Sequence, residues 1–321
     1  MKTLTLILFV LVASSSQAVT IKLATLVPKG TNWAKTISDM SKEIKEKTDG
    51  KVKVKVFYGG VQGDEPDVLR KTRIGQVHGG IFTGKTLGDI NSDIRAIELP
   101  FNFYHDHQKA MKAISSLREY YDNKLLTKGF VSLGFYGIGK VYVVSTKKVT
   151  NLSELQGVKM WAWEGDFLIR TMMESLGLVT VPLALPDVMS SLSTGIIEAA
   201  YGPPLAILAL QWQNKIKYII DFPTAYSLGA LLVTKKQWKK IPKNYQQSVK
   251  DIAQKYVDKA NKMSVKDNEQ ALKTLKDLGV ELVEFSKEDL KKAEKIREDV
   301  IGKLKGKLLS ESIINKIEKL R

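Results

Sequence analysis

Within residues 157–204 the chain alternates twice between a short apolar run and a helical pattern, a rhythm that confines it to a sheet with crossing helices. The period of two in Val158-Lys159-Met160-Trp161-Ala162-Trp163 predicts a strand with Trp161 and Trp163 on one face. The turn Glu164-Gly165-Asp166 follows, with Asp166 suited to cap an apolar helix over 167–176 that Gly177 closes. A second strand over 180–183 leads to Pro186-Asp187 and a helix that stops at Gly195. Units of this kind gather their loops at one end of a sheet, where ligands bind.

The preceding chain has the same rhythm. A strand over 21–25 and the loop Val27-Pro28-Lys29-Gly30-Thr31 lead into a helix with Trp33, Ile37, Met40 and Ile44 at helical spacing, ended by Gly50. The alternation KVKVKVFY is a half-buried strand, and a helix runs from Asp64 to Arg73. Later segments read as an amphipathic helix over 110–121, strands over 131–135 and 141–145, and a helix beyond Pro204 carrying Trp212. Strands follow over 218–220 and 230–234. A single long polar-faced helix spans 242–278, of the sort that braces two lobes, before a strand over 279–283 and a Lys-rich final helix capped by Ser286.

Three features bound the setting. Lys2, the apolar run 4–12 and Ser16-Gln17-Ala18 form a secretory leader, cleaved near Ala18, so residues 1–18 are set aside and the rest is expected in the periplasm. The chain has no cysteine, which excludes disulfides, a thiol nucleophile and thiolate zinc sites. Its net charge of +16 comes from lysines scattered along solvated helix faces, so no nucleic-acid partner is expected.

Motifs that suggest catalysis dissolve in their context. Gly79-Gly80-Ile81-Phe82-Thr83-Gly84-Lys85-Thr86 matches the phosphate-binding pattern G-x-x-x-x-G-K-T. That chemistry needs a strand before the first glycine and a helix after the lysine. Here Ile81 and Phe82 read as the strand itself, Thr83-Gly84 as its end loop, and Gly88 as a break in any following helix. His105 and His107 lie two apart with no third ligand suggested, and there is no G-x-S-x-G elbow. Gly134, Gly137 and Gly139 read as a close strand crossing. No enzyme activity, cofactor or metal is expected; nucleotide hydrolysis at 79–86 and an exported hydrolase are the alternatives of another class.

In order and spacing, IKLATLVPKGTNW, KVKVKVFYGGVQGDEPDVLRKTRIGQVHGG, ELPFNFYHDH, NLSELQGVKM and LGLVTVPLALPDVMSSLSTGIIEAAYGPP resemble the substrate-binding proteins of tripartite ATP-independent periplasmic (TRAP) transporters, the DctP family. The resemblance implies an α/β, two-lobed periplasmic binding protein of type II-like build, with crossing strands, a long lobe-bridging helix and a central ligand cleft. The lobes would be 19–143 with 231–279, and 144–230 with 280–321. It also implies a small-molecule ligand and, as partners, the small and large membrane permease subunits.

Against the family pattern two polar handles are missing. Counting from Gly157-Val158-Lys159-Met160, the arginine that pairs with a ligand carboxylate in acid-binding members would fall at Trp161, and Gly202-Pro203 stands where an asparagine before proline is usual. The expected cleft is therefore aromatic: Trp161, Trp163, Tyr201, Gly202, Pro203 and Pro204, joined by Tyr136, Phe82, Thr83 and Trp33. That composition points to a hydrophobic or amphipathic ligand, with Glu164 or Asp166 placed for a cation over the indoles. An organic acid met by Lys140 is the alternative.

Overall fold

The computed structural model describes residues 18–321; the leader expected over residues 1–18 lies outside them except for Ala18. Among the described residues there are ten strands: β1 (Val19–Ala24), β2 (Val52–Phe57), β3 (Gly79–Thr83), β4 (Phe130–Ser145), β5 (Lys159–Ala162), β6 (Val179–Pro182), β7 (Ala199–Gly202), β8 (Tyr218–Ile220), β9 (Ala225–Thr234) and β10 (Glu281–Val283). Their order β2-β1-β3-β9-β4-β7-β5-β6, with β8 on β4 and β10 on β8, makes two sheets that share β4. Within the first sheet β1 pairs parallel with β2 and β3, while β9 runs antiparallel to β3 and β4. In the second, β5, β6 and β7 are parallel, the outcome of helical crossovers between them.

Where the sequence predicts two strands near 131–145, one 16-residue strand runs through both sheets. Its pairing with β9 slips between Ser132 and Gly134 and again between Gly137 and Gly139, so the glycines mark irregularities within one strand. Gly137 is required by close approach: a Cβ there would lie 2.1 Å from the Tyr226 hydroxyl. Other differences are breaks in helices. The expected helix over 110–121 is two, His107–Ser116 and Arg118–Thr127, hinged at Leu117. Trp212 leaves the helix Pro204–Ala209 for a separate turn, and a second C-terminal helix, Glu311–Leu320, follows Lys287–Leu304.

Lys243–Asp277 is one 35-residue helix packed along β4 and the first helix, Asn32–Lys47. Asn268 on it donates to Ile138 O at 2.9 Å and accepts from Leu205 N at 3.1 Å, so it ties the crossing strand to the second sheet's helix Pro204–Ala209. The strand β10 pairs with β8 in the second sheet, whereas Glu311–Leu320 packs on Ser92–Glu98 and His107–Ser116. No helix among the described residues is long and apolar enough to cross a membrane.

Candidate ligand-binding site

Two adjoining chambers of ≈ 150 and ≈ 130 Å³ lie between the sheets and share Thr83, Ile138, Leu185, Ala206 and Leu210 in their walls. The first is apolar, bounded by the loop after β1 and by Trp33 set edge-on to Tyr136 at 4.5 Å. Tyr136 is fixed there by donating to Phe82 O at 3.2 Å. A single carboxyl reaches its wall, that of Glu65, which accepts from Thr83 N at 3.0 Å and Thr83 Oγ1 at 2.9 Å. Burial pushes this carboxyl up to about 7 in spite of those hydrogen bonds, because a charge there has little water to solvate it.

The second chamber holds a buried charge cluster. Arg95, from the short helix Ser92–Glu98, donates from Nη1 to Asp166 Oδ2 at 3.0 Å, and its Nε lies 2.9 Å from Glu98 Oε2 without an aligned hydrogen bond. Asp166 also accepts from Ile169 N at 3.1 Å, the helix cap expected of it. Glu98 is anchored by Ser227 Oγ at 3.0 Å and Leu228 N at 3.1 Å, and burial pushes its carboxyl up against the pull of Arg95. Burial opposes the charge on Arg95, but the two carboxylates hold it protonated well above its ordinary value. The buried Tyr201 hydroxyl lines the same chamber and makes no hydrogen bond to another side chain among the described residues.

Gly84 of the phosphate-binding pattern, and Gly88 just beyond it, serve this cluster. Residues 79–83 are β3, paired with β9, and the Thr83 amide is taken by Glu65, so this backbone is not a loop of free N–H groups that could cradle a phosphate. Contrary to the expectation of a break, a helix does follow, Gly84–Ile90, with Gly88 inside it and Lys85 paired to Asp89 at 2.7 Å. A Cβ on Gly84 would meet the Glu98 carboxylate at 2.2 Å, and one on Gly88 would meet Arg95 Cγ at 2.6 Å. The spacing of four leaves a trough on one helix face into which Arg95 and Glu98 lie.

The expected site residues divide. Trp163, Tyr201, Gly202, Pro203 and Thr83 line the charged chamber, and Trp33, Tyr136 and Thr83 the apolar one. Trp161 touches the charged chamber but is 1% exposed, stacked on Tyr201 at 4.8 Å with its Nε1 donating to Leu183 O at 3.0 Å. It is a packed pillar rather than an open indole wall. Four of the expected residues lie elsewhere, which corrects their placement in the cleft. Phe82 is fully buried in the core, because its side of β3 faces the helices, and Glu164 is exposed at its turn. Lys140 and Pro204 line a separate groove behind the crossing strands, with His105 and His107, where His107 Nδ1 meets Tyr226 Oη at 2.5 Å. Sequence reasoning missed Arg95, Glu98 and Glu65 as cleft groups; for Arg95 and Glu98 the one signal was a pair of helical glycines four apart.

The family model described as bacterial extracellular solute-binding protein, family 7 (DctP), matches residues 23–306. A relative from Rhodobacter capsulatus, the C4-dicarboxylate-binding periplasmic protein DctP, is 24% identical over 255 residues, covering 78% of this chain and 74% of the relative. The solved TRAP periplasmic solute-binding protein of Citrobacter koseri with bound D-glucuronate superposes with a TM-score of 0.84 at 24% identity, covering 94% of this chain and 99% of that one. That of Sulfurospirillum deleyianum with bound succinate gives 0.87 at 19% identity, covering 95% and 100%. These likenesses establish the two-lobed α/β architecture.

Proposed function

The chain belongs to bacterial extracellular solute-binding protein family 7, the DctP family of TRAP receptors, and from that premise we propose that its cleft captures a small hydroxylated organic acid. It is a solute receptor, not an enzyme. We assign its place to the periplasm, its lobes to 19–143 with 231–279 and 144–230 with 280–321, and its delivery partners to small and large membrane permease subunits.

The observation that carries the ligand class is Arg95. The sequence offered no arginine on the strand at position 161, and an apolar ligand followed from that gap. A guanidinium reaches the same wall from Ser92–Glu98 instead, within the chamber formed by Trp161 and Tyr201. Its Nη2 has no hydrogen-bond partner among the described residues, which leaves donors for a carboxylate. Glu98 and Asp166 are acceptors for hydroxyl groups, and the aromatic face takes the carbon skeleton. The hydrophobic ligand is therefore withdrawn: the chamber holds three buried charges, and the solved relatives named for a ligand hold acids such as D-glucuronate and succinate.

Titration calorimetry with D-glucuronate, D-galacturonate and succinate tests this reading. Saturable binding of at least one is expected, weakened about tenfold or more by Arg95→Lys, which keeps the charge but loses the planar fork. Failure of every acid to bind, together with binding of a carboxylate-free apolar compound, overturns it.

A further inference from the structure

We propose that the first lobe docks on an anionic lipid surface through a lysine patch at the end of its sheet away from the ligand chambers. Those chambers lie where β1 and β3 finish, at Thr25 and Thr83. The patch lies at the opposite end, where β9 finishes: Thr234 N donates to His78 O at 2.8 Å, just ahead of β3.

The sequence there is Lys235-Lys236-Gln237-Trp238-Lys239-Lys240. A short helix, Lys235–Trp238, opens it, and Lys239 N continues the turn by donating to Lys235 O at 3.1 Å. Gln237 and Trp238 are buried, with Gln237 Nε2 donating to Thr20 O at 2.8 Å. The spacing of four therefore sets Lys235 beside Lys239 and Lys236 beside Lys240 on the outer face. Lys22 joins them from β1, and Lys128 from the turn whose Gly129 O accepts from Lys235 N at 2.7 Å. Burial holds the His78 imidazole below its ordinary value, and the charges of Lys22 and Lys240 press it the same way, so two lysines remote in sequence reach one side chain. All six lysines are exposed, and none has an ion pair among the described residues.

Like charges four apart on a helix repel each other. A merely solvated face relieves this with carboxylates, as helix Lys287–Leu304 does with Glu288, Asp289, Glu294 and Glu298. Here there are none: residues 222–250 contain six lysines and no Asp or Glu. The imbalance extends to the whole lobe. With the lobes assigned as above, the first has 32 Lys and Arg against 18 Asp and Glu, and the second 17 against 16. Lysines that look scattered along the chain thus give one lobe nearly all of the net charge.

The chemistry of the patch selects its partner. All six are lysines, point charges without the planar fork by which arginine reads a single phosphate or carboxylate. Trp238 is turned inward, so it offers nucleobases no stacking platform. A diffuse, outward array of this kind suits the headgroups of an anionic bilayer, where each lysine near the surface strengthens binding roughly fivefold. The inference is independent of the ligand class and of the charged chamber.

Co-sedimentation of the protein with vesicles of phosphatidylglycerol and phosphatidylcholine, and of phosphatidylcholine alone, tests it. The wild type is expected to bind the anionic vesicles, to leave them at about 0.5 M salt, where screening acts within a few ångströms, and to ignore the neutral ones. Replacing Lys235, Lys236, Lys239 and Lys240 together by glutamine should weaken binding about a hundredfold or more, whereas replacing them by arginine should preserve it. The control replaces Lys287, Lys291, Lys292 and Lys295 by glutamine, removing the same charge from exposed positions of the second lobe, and should change binding less than about threefold. Equal losses in the two glutamine variants assign the effect to net charge and overturn the patch. Absence of binding to anionic vesicles, equal binding to neutral ones, or retention by single-stranded DNA in place of vesicles overturns the lipid partner. Should the fourfold patch variant fail to fold, Lys22→Gln combined with Lys128→Gln decides, with a loss of about twentyfold expected and unchanged binding overturning the proposal.

Discussion

Replacing Gly88 by alanine sets two opposed effects against each other. Gly88 lies inside the helix Gly84–Ile90 with ordinary negative φ, so alanine is free of backbone strain and should gain about 1 kcal/mol of helix propensity. The new Cβ, however, would sit 2.6 Å from Arg95 Cγ and 2.9 Å from Cδ, and Arg95 is buried with both ends engaged. Overpacking costs about 1–3 kcal/mol, and moving the guanidinium away from Asp166 or Glu98 approaches the ~3–5 kcal/mol of breaking a buried pair. The expected net is a loss of about 2 kcal/mol. Gly302, in the helix Lys287–Leu304, supplies the control: a Cβ there meets nothing within 4 Å, so Gly302→Ala should gain up to ~1 kcal/mol. Urea unfolding of both variants at unchanged m-value is the assay. If Gly88→Ala stabilises the chain as Gly302→Ala does, Arg95 is not wedged into that trough and the account of the charged chamber is wrong.

Glu98→Gln keeps an acceptor for Leu228 N and Ser227 Oγ while removing a carboxylate that competes for Arg95. Acid affinity by calorimetry should rise about tenfold, equivalent to ~1.4 kcal/mol; unchanged or weaker binding counts against Arg95 as the carboxylate reader. Glu65 links stability to pH. Its carboxyl is raised from 4.5 to about 7, so the folded chain holds a proton that the unfolded chain has released between those values. The penalty is absent below ~4.5 and grows as pH rises to about 7, reaching roughly 3 kcal/mol. Glu65→Gln should remove that decline, seen as a wild-type-minus-variant stability difference that becomes more unfavourable to wild type from pH 4.5 to 7; a flat difference refutes it.

Local patterns carried most of the fold. The alternation KVKVKVFY, the apolar spacing through Trp33, Ile37, Met40 and Ile44, and the helix stop at Gly195 each reappear as expected, because each depends on neighbours within a few residues. Strand β4 was read as two because glycines at 134, 137 and 139 interrupt the apolar run, although their role is to admit helix Lys243–Asp277 and Tyr226. The site was less legible for the same reason. Arg95 meets Asp166 across 71 positions of sequence, and Asp64 meets Trp163 across 99, distances over which no periodicity speaks. Trp161 stands in the chamber wall, but an indole in a strand does not reveal whether its face is open or stacked, and here Tyr201 covers it.

The most direct measurement of the central claim is native mass spectrometry of the protein purified from the cells that make it, with the compound released on denaturation identified. A small hydroxylated carboxylic acid at one per chain is the predicted result. An apolar compound without a carboxylate, held with the same stoichiometry, would contradict it.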